Sequence, residues 1–354
     1  MKILFHLGHP AHFHLFKNVI KQLESNGYKC LILIKEKDVL RHLLDGSGFK
    51  YENILPEGKS NGWFGLFSDL VKRGRRIIKY CRIHKPDLLI GTSPDISYVG
   101  KFLGIPAVNV QEDDADAVPL HAWIAYPWAT DIISPDCCNN GRWNHKTTSY
   151  AGYHELSYLH PENFLPNKEI VSKYLDPNNP YFVLRFVSLN AHHDDGVSGL
   201  SDEIAEQLIE KLEGKGKIII TSERKLKSSV EKYRLNVDPN DIHHVLAFAK
   251  LVIGDSQTMS AESGVLGVPF IRFNDFVGKL GYLEELENKY MLGFGFTSDK
   301  ANEMVQKVMD LVESEVSKEF LIRRDQLLKE KINVAEFLYT YITTKKYFKN
   351  KYAD

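Results

Sequence analysis

Several stretches of this 354-residue chain bring together side chains able to do chemistry. In LVIGDSQTMSAESGVLGVPFI (251–271) an apolar strand runs into a small polar turn, a short helix carries Glu262, and Gly267-Val268-Pro269 reopens a strand. Backbone N–H groups at a helix start, with the positive end of the helix dipole, stabilise phosphate oxygens. Asp255, Ser256, Gln257 and Thr258 would line that approach, and Glu262 lies far enough along the helix to reach a ribose hydroxyl. The alternative is an ordinary strand-turn-helix, with Ser256 or Thr258 as a cap and Glu262 in solvent.

Other clusters follow or precede apolar runs. Arg185 in YFVLRFV (181–187) is suited to neutralising phosphate charge or to pairing with a structural carboxylate, and Ser188-Leu189-Asn190-Ala191-His192-His193-Asp194-Asp195-Gly196 follows it. The turn Gly8-His9-Pro10-Ala11-His12-Phe13-His14 holds three imidazoles, groups that take up protons near neutral pH and also cap helices readily. After IPAVNV (105–110) comes Gln111-Glu112-Asp113-Asp114-Ala115-Asp116, which contains a literal D-x-D able to hold Mg²⁺ or Mn²⁺. Lastly, Trp63, Phe64, Leu66 and Phe67 precede a basic run of Lys72, Arg73, Arg75, Arg76, Lys79, Arg82 and Lys85, with no acid between 70 and 85. That run is either a solvated helix face over Leu70, Ile77 and Ile78 or, with the basic tail around Lys345, Lys346, Lys349 and Lys351, a peripheral contact for an anionic bilayer.

The elements that must position these residues alternate. KILFHL (2–7) reads as a strand, and Phe16, Val19, Ile20 and Leu23 then form one helical face. Strands at 30–34, 86–91, 105–110 and 131–135 alternate with helices near 38–45, 95–103 and 119–129, the pattern of a parallel sheet covered on both faces. Residues 136–180 are rich in Asn, Pro, Tyr and His and read as an interdomain crossing. A second series begins at 181–187, continues through strands at 217–222, 251–255 and 269–273, and closes in helical patterns through 300–345. The expected fold is α/β, with two Rossmann-like parallel-sheet domains facing a cleft. Expected boundaries are 1–160, 161–325 and a C-terminal helix and basic tail at 326–354.

Composition narrows the class. The chain is 43% hydrophobic and 26% charged with a net charge of −1, so no excess of cations points to nucleic acid. Cys30, Cys81, Cys137 and Cys138 form no CxxC or Cys/His ligand spacing, which argues against structural zinc and for a reducing compartment. The N-terminal run is soon broken by histidines and a proline, so it reads as a strand and not a signal peptide. A cytoplasmic protein, free or bound at a membrane surface, is expected.

The arrangement resembles the GT-B glycosyltransferases and the UDP-N-acetylglucosamine 2-epimerases of the same superfamily. GHPAHFHLFKNVIKQL, PDLLIG, GIPAVNVQED, YHELSYLHP, RFVSLNAHHD and LAFAKLVIGDSQTMSAESGVLGVPFIR resemble most closely the domain-of-unknown-function 354 family, over residues 1 to about 290. The resemblance implies a nucleotide sugar in the C-terminal lobe and an acceptor at the N-terminal lobe. Relative to Gly-x-Pro, Glu262 sits where the peptidoglycan N-acetylglucosaminyltransferase keeps its ribose-binding glutamate, although those relatives often have glycines where Ser256 and Gln257 stand. It also implies a functional histidine in the first turn, His12 ahead of His9, and a carboxylate, Glu112, that acts as base or orients His12. His192 or His193 would face the leaving diphosphate, as a loop histidine does in the 2-epimerases.

The expected function is transfer of a hexosyl or N-acetylhexosaminyl group from a nucleotide-diphosphate sugar to an envelope, polysaccharide or lipid-linked acceptor. No cofactor or metal is expected, since a D-x-D enzyme of the GT-A type would leave 251–271 unexplained. The alternatives are a UDP-sugar 2-epimerase, disfavoured because Gly8-His9-Pro10-Ala11 replaces an expected Gly-Thr-Arg-Pro-Glu turn, and a non-catalytic nucleotide-sugar-binding protein.

Overall fold

The computed structural model describes residues 1–35, 39–55, 62–187 and 199–345, with the side chains of 55 and 62–68 outside the description. The chain divides into two compact units, Met1–Tyr158 with Ile332–Asp354, and Leu159–Lys331.

In the first unit β1 (Lys2–Leu7), α1 (Pro10–Ser25), β2 (Lys29–Lys35), α2 (Leu40–Ser47), β3 (Tyr51–Leu55) and α3 (Gly62–His84) are followed by β4 (Leu88–Gly91), α4 (Pro94–Leu103), β5 (Ala107–Val110), α5 (Pro119–Ala125), β6 (Asp131–Pro135) and β7 (Thr147–Tyr150). The strands lie in the order β3-β2-β1-β4-β5-β6-β7, all parallel. A strand covered by helices on both faces is buried along its length, and Ile3 to Leu7 are so buried. Leu4, Leu31, Leu33 and Leu89 pack with Ile77, Ile96 and Val99 under α3 and α4. Gly100 lets α4 close on β5, since a Cβ there would stand 2.6 Å from that of Ala107. Strand order reverses between β1 and β4, the place where open parallel sheets form a crevice beyond their carboxyl ends.

The second unit holds α6 (Lys168–Val171), β8 (Tyr181–Phe186), α7 (Asp202–Leu212), β9 (Lys217–Ser222), α8 (Ser228–Glu231), α9 (Ile242–Ala247), β10 (Leu251–Gly254), α10 (Gln257–Leu266), β11 (Phe270–Phe273), α11 (Gly281–Glu284), β12 (Gly293–Phe296), α12 (Ala301–Glu313) and α13 (Ser317–Glu330). Its parallel order is β12-β11-β10-β8-β9, so the reversal falls between β8 and β10. Gly254 permits the close approach there, because a Cβ would meet the Arg185 carbonyl oxygen at 2.5 Å.

Two elements differ from the sequence reading. Residues 136–158 are not a crossing: β7 and the buried Tyr153, Leu156 and Tyr158 belong to the first unit. The chain also returns to that unit at its end, because α14 (Val334–Thr344) is amphipathic, capped by Asn333, and buries Val334, Leu338 and Ile342 against it. Asp131 fastens this return, accepting from Tyr341 Oη at 2.6 Å and pairing with Lys345 Nζ at 2.8 Å.

Candidate functional site

In the second unit β10 delivers the chain to α10 through Asp255 and Ser256. Ser256 is the cap, its Oγ accepting from Met259 N at 3.2 Å, while its carbonyl accepts from Ser260 N at 3.2 Å. A helix leaves its first N–H groups without intrahelical acceptors, so Gln257 and Thr258 supply the two first-turn donors that the cap does not take. Ser256, Gln257 and Thr258 are half-buried, and the helix is buried from Met259 onward. This half-exposed start offers backbone donors and the positive end of the helix dipole together.

Asp255 does a different task from the one its position suggests. Its carboxylate is buried and accepts from Val187 N at 2.8 Å and Leu200 N at 3.2 Å, while its own carbonyl accepts from Asn274 Nδ2 at 2.9 Å. It ties the exit of β8 to the start of α10 and is committed to backbone partners. Burial lifts its carboxyl to about 6, with the donated N–H bonds opposing the rise.

Glu262 is neither in solvent nor at the surface. It is 6% exposed and pairs with His243 on α9, Nε2 to Oε1 at 2.9 Å. Arg185 pairs with Glu223 beyond β9, the structural alternative weighed for it, and its buried Nε has no partner among the described residues. His192 and His193 lie outside the described residues.

In the first unit the β1–α1 and β4–α4 turns face each other across the strand reversal. His9 caps α1, its Nδ1 accepting from Ala11 N at 3.2 Å. His12 Nδ1 accepts from Gly8 N at 3.1 Å, and Thr92 Oγ1 lies 2.7 Å from its Nε2. With Nδ1 an acceptor in both rings, the neutral tautomer carries its proton on Nε2. His12 Nε2–H then meets Thr92 Oγ1, and neither ring offers the lone pair that a base needs.

Glu112 has His154 as its neighbour. It binds His154 twice, with Oε2 accepting the backbone N–H at 3.1 Å and Oε1 lying 3.3 Å from Nδ1. A carboxylate on Nδ1–H leaves the lone pair on Nε2, and His154 Nε2 is buried without a partner among the described residues. His154 was missed by type-and-spacing reasoning, although it stands in the YHELSYLHP stretch. Neighbouring Asp113 is pushed up to about 7 by burial and by the Glu112 charge, with His154 opposing.

The two acids of the D-x-D have different surroundings. Asp114 accepts from Asn139 N at 2.8 Å and stitches the loop after β5 to that after β6, and Asp116 is exposed. Beneath these turns lies a buried polar layer. Arg73 Nε and Ser93 Oγ reach Asp95 at 2.8 and 2.7 Å, and His121 Nε2 lies 3.2 Å from Asn109 Oδ1. His6, on β1, is 1% exposed with neither ring nitrogen partnered among the described residues, and burial lowers it to about 4. Burial also lowers His121 to about 4.

Of the membrane-contact stretch, the side chains of Trp63, Phe64, Leu66 and Phe67 lie outside the description. The basic residues of α3 split: Arg73 turns inward to Asp95, and Arg76 donates to the Ile54 carbonyl at 2.6 Å, whereas Lys72, Arg75, Lys79 and Arg82 are exposed. No helix among the described residues is long and apolar enough to cross a membrane.

Solved structures with the same architecture span the whole chain at low identity. The S. aureus MnaA–UDP co-structure matches with a TM-score of 0.71 at 13% identity, covering 100% of this chain and 98% of that one. UDP-GlcNAc 2-epimerase from Neisseria meningitidis bound to UDP-GlcNAc gives 0.68 at 11%, covering 98% and 100%. CalG4, the calicheamicin glycosyltransferase, gives 0.62 at 11%, covering 100% and 99%. The fold is therefore GT-B, as the sequence motifs implied. No curated protein matches. A family model described as "Protein of unknown function (DUF354)" matches residues 1–340.

Proposed function

The chain belongs to the DUF354 family, and from that premise we propose that it is a glycosyltransferase taking its donor as a nucleotide-diphosphate sugar. The transferred group is a hexosyl or N-acetylhexosaminyl unit, the acceptor a saccharide or lipid-linked saccharide of the envelope or of a polysaccharide. The observation that carries this reading is the Ser256-capped, half-exposed start of α10 at the strand reversal of the second unit. The diphosphate is held by the N–H groups of Gln257 and Thr258, and Glu262, positioned by His243, serves the ribose.

In transfer, an acceptor hydroxyl gives up its proton to a base while its oxygen bonds to the anomeric carbon. The anomeric C–O bond to phosphate breaks, and the nucleoside diphosphate leaves with the electron pair, its charge met by donors already in place. Glu112 with His154 is taken as the base ahead of His12 or His9, because a carboxylate on His154 Nδ1 leaves the lone pair on Nε2, and since that nitrogen is buried a local shift must uncover it for the acceptor. His12, whose Nε2 is engaged by Thr92 Oγ1, and His9, the cap of α1, serve to shape the turn beside the acceptor. This scheme calls on no metal, and the leaving charge is met by the start of α10.

The test is incubation with UDP-, GDP-, CMP- and dTDP-sugars, with and without lipid and saccharide acceptors, followed by NMR. Acceptor-dependent release of nucleotide supports transfer. Exchange of the sugar C2 proton without acceptor would assign epimerisation instead, and saturable binding without turnover a binding protein.

A further inference from the structure

We propose that the amino-terminal edge of the first unit's sheet is a docking face for an anionic lipid bilayer. All strands of that sheet run parallel, so the helix-to-strand junctions that enter them share one edge. At three successive junctions a large apolar side chain stands out. Ile83, in the last turn of α3 before β4, is 65% exposed; Phe102, in the last turn of α4 before β5, is 67% exposed; Trp128, between α5 and β6, is 47% exposed. One exposed apolar residue needs no explanation. Three on adjacent strand entries form a row.

Cations flank each position. Exposed Arg82 and Lys85 bracket Ile83, and exposed Lys101 precedes Phe102. Lys146 reaches the carbonyls beside Trp128, at 3.3 Å to Pro127 and 2.9 Å to Ala129. Lys101 acts on Lys146, whose ammonium is lowered first by burial, with Asp131 opposing and Lys101 adding to the fall. Next along the edge, Lys2, Lys29, Arg82 and Lys85 line an open groove of about 970 Å³ with Leu103 and Ile105 among its apolar walls. The acid in its lining, Asp87, accepts from the backbone N–H of Lys2 at 2.8 Å.

Protruding apolar side chains ringed by cations are what peripheral attachment needs: the apolar groups enter the headgroup boundary and the cations meet lipid phosphates. This charge complement selects a lipid surface as the occupant over a second copy of the chain, because two such basic edges would repel. The face takes in Arg82 and Lys85 of the basic run read from sequence but not the Trp63–Phe67 stretch, and the inference does not rest on nucleotide chemistry.

The experiment is co-sedimentation of the full chain with phosphatidylcholine vesicles, with and without about 30% phosphatidylglycerol, at low and high salt. Expected is binding to the anionic vesicles that falls with salt, weakened about five-fold by Lys101→Ala and at least about ten-fold by Ile83→Glu with Phe102→Glu. Circular dichroism is the check that these surface variants remain folded. Equal binding to neutral vesicles, or undiminished binding by the double variant, would overturn the proposal. So would self-association by sedimentation velocity that the double variant abolishes without any lipid binding, since the face would then join copies of the chain.

Discussion

Replacing either member of the Glu262–His243 pair separates a ribose contact from a purely structural one. Both side chains are almost fully buried and meet at 2.9 Å. His243→Leu takes a partner from a carboxylate in the interior, a loss of roughly 3–5 kcal/mol against a total stability of about 5–15 kcal/mol for a domain. Glu262→Gln keeps an oxygen for His243 Nε2–H and is expected to cost about 1–2 kcal/mol. Its effect on ligand should be larger than its effect on fold. A charge-assisted bond to a ribose hydroxyl contributes about 1.5–3 kcal/mol, so its weakening raises the Kd for UDP, or for whichever nucleotide the panel selects, by roughly 10- to 150-fold. Guanidinium titration reads the first quantity and calorimetry the second. If Glu262→Gln binds nucleotide within two-fold of the parent while His243→Leu is destabilised as stated, the pair is interior packing only and the ribose role is refuted.

Other consequences follow from the first unit. His6 has a folded value of about 4 against an ordinary 6.5, so the unfolded chain binds a proton that the folded one refuses; stability falls as pH drops from 6.5 to 4, by about 3 kcal/mol from this group. His6→Leu should remove that part of the acid sensitivity in denaturant titrations at pH 7 and pH 4.5, and an unchanged difference between the two would mean that the ring is charged in the fold. Asp113 works in the opposite direction: raised to about 7 from 3.8, it holds a proton in the fold that the unfolded chain releases, so its contribution declines as pH rises through that window. Asp113→Asn should therefore gain stability relative to the parent at pH 8 and little at pH 4, by up to about 4 kcal/mol; equal curves at both pH values would contradict a neutral carboxyl in the fold. His154→Asn and Glu112→Gln should each lower kcat by about 100-fold or more with small change in KM, while His12→Asn lowers it less; the reverse ranking would return the base to the first turn. Turnover that disappears with EDTA and returns with Mg²⁺ would end the metal-free scheme.

Repetition made the architecture readable. Apolar runs such as KILFHL and LVIGD are buried on both faces and so lack alternation, and the helices between them show one apolar stripe each. What escaped was short or locally ambiguous. Tyr51–Leu55 and Thr147–Tyr150 sit at sheet edges, where one neighbour is missing and half-exposed residues dilute the apolar signal. The return of α14 to the first unit rests on Tyr341 meeting Asp131 across 210 positions, a contact that no local pattern announces.

The candidate site divides along the same line. Strand ends gather polar residues for two reasons, to meet a ligand and to satisfy the backbone where strand pairing stops, and residue type does not distinguish the two. Asp255 lies 68 positions from Val187, Arg185 lies 38 from Glu223 and Glu112 lies 42 from His154, so each had its partner outside any window that spacing can inspect. Once those partners are placed, three of the side chains first read as facing ligand are committed within the protein. Ser256, Gln257 and Thr258 differ, because what they offer is main-chain N–H at a helix start, and that follows from the turn itself whichever side chains fill it. The departure from glycine at Ser256 and Gln257 then matters less than the sequence suggested: a cap supplied by Ser256 Oγ takes only Met259 N, and the donors ahead of it stay half-exposed. The nucleotide assignment therefore stands on backbone geometry, and substitutions of Gln257 or Thr258 side chains to Ala should disturb binding far less than Pro at Thr258, which deletes a donor.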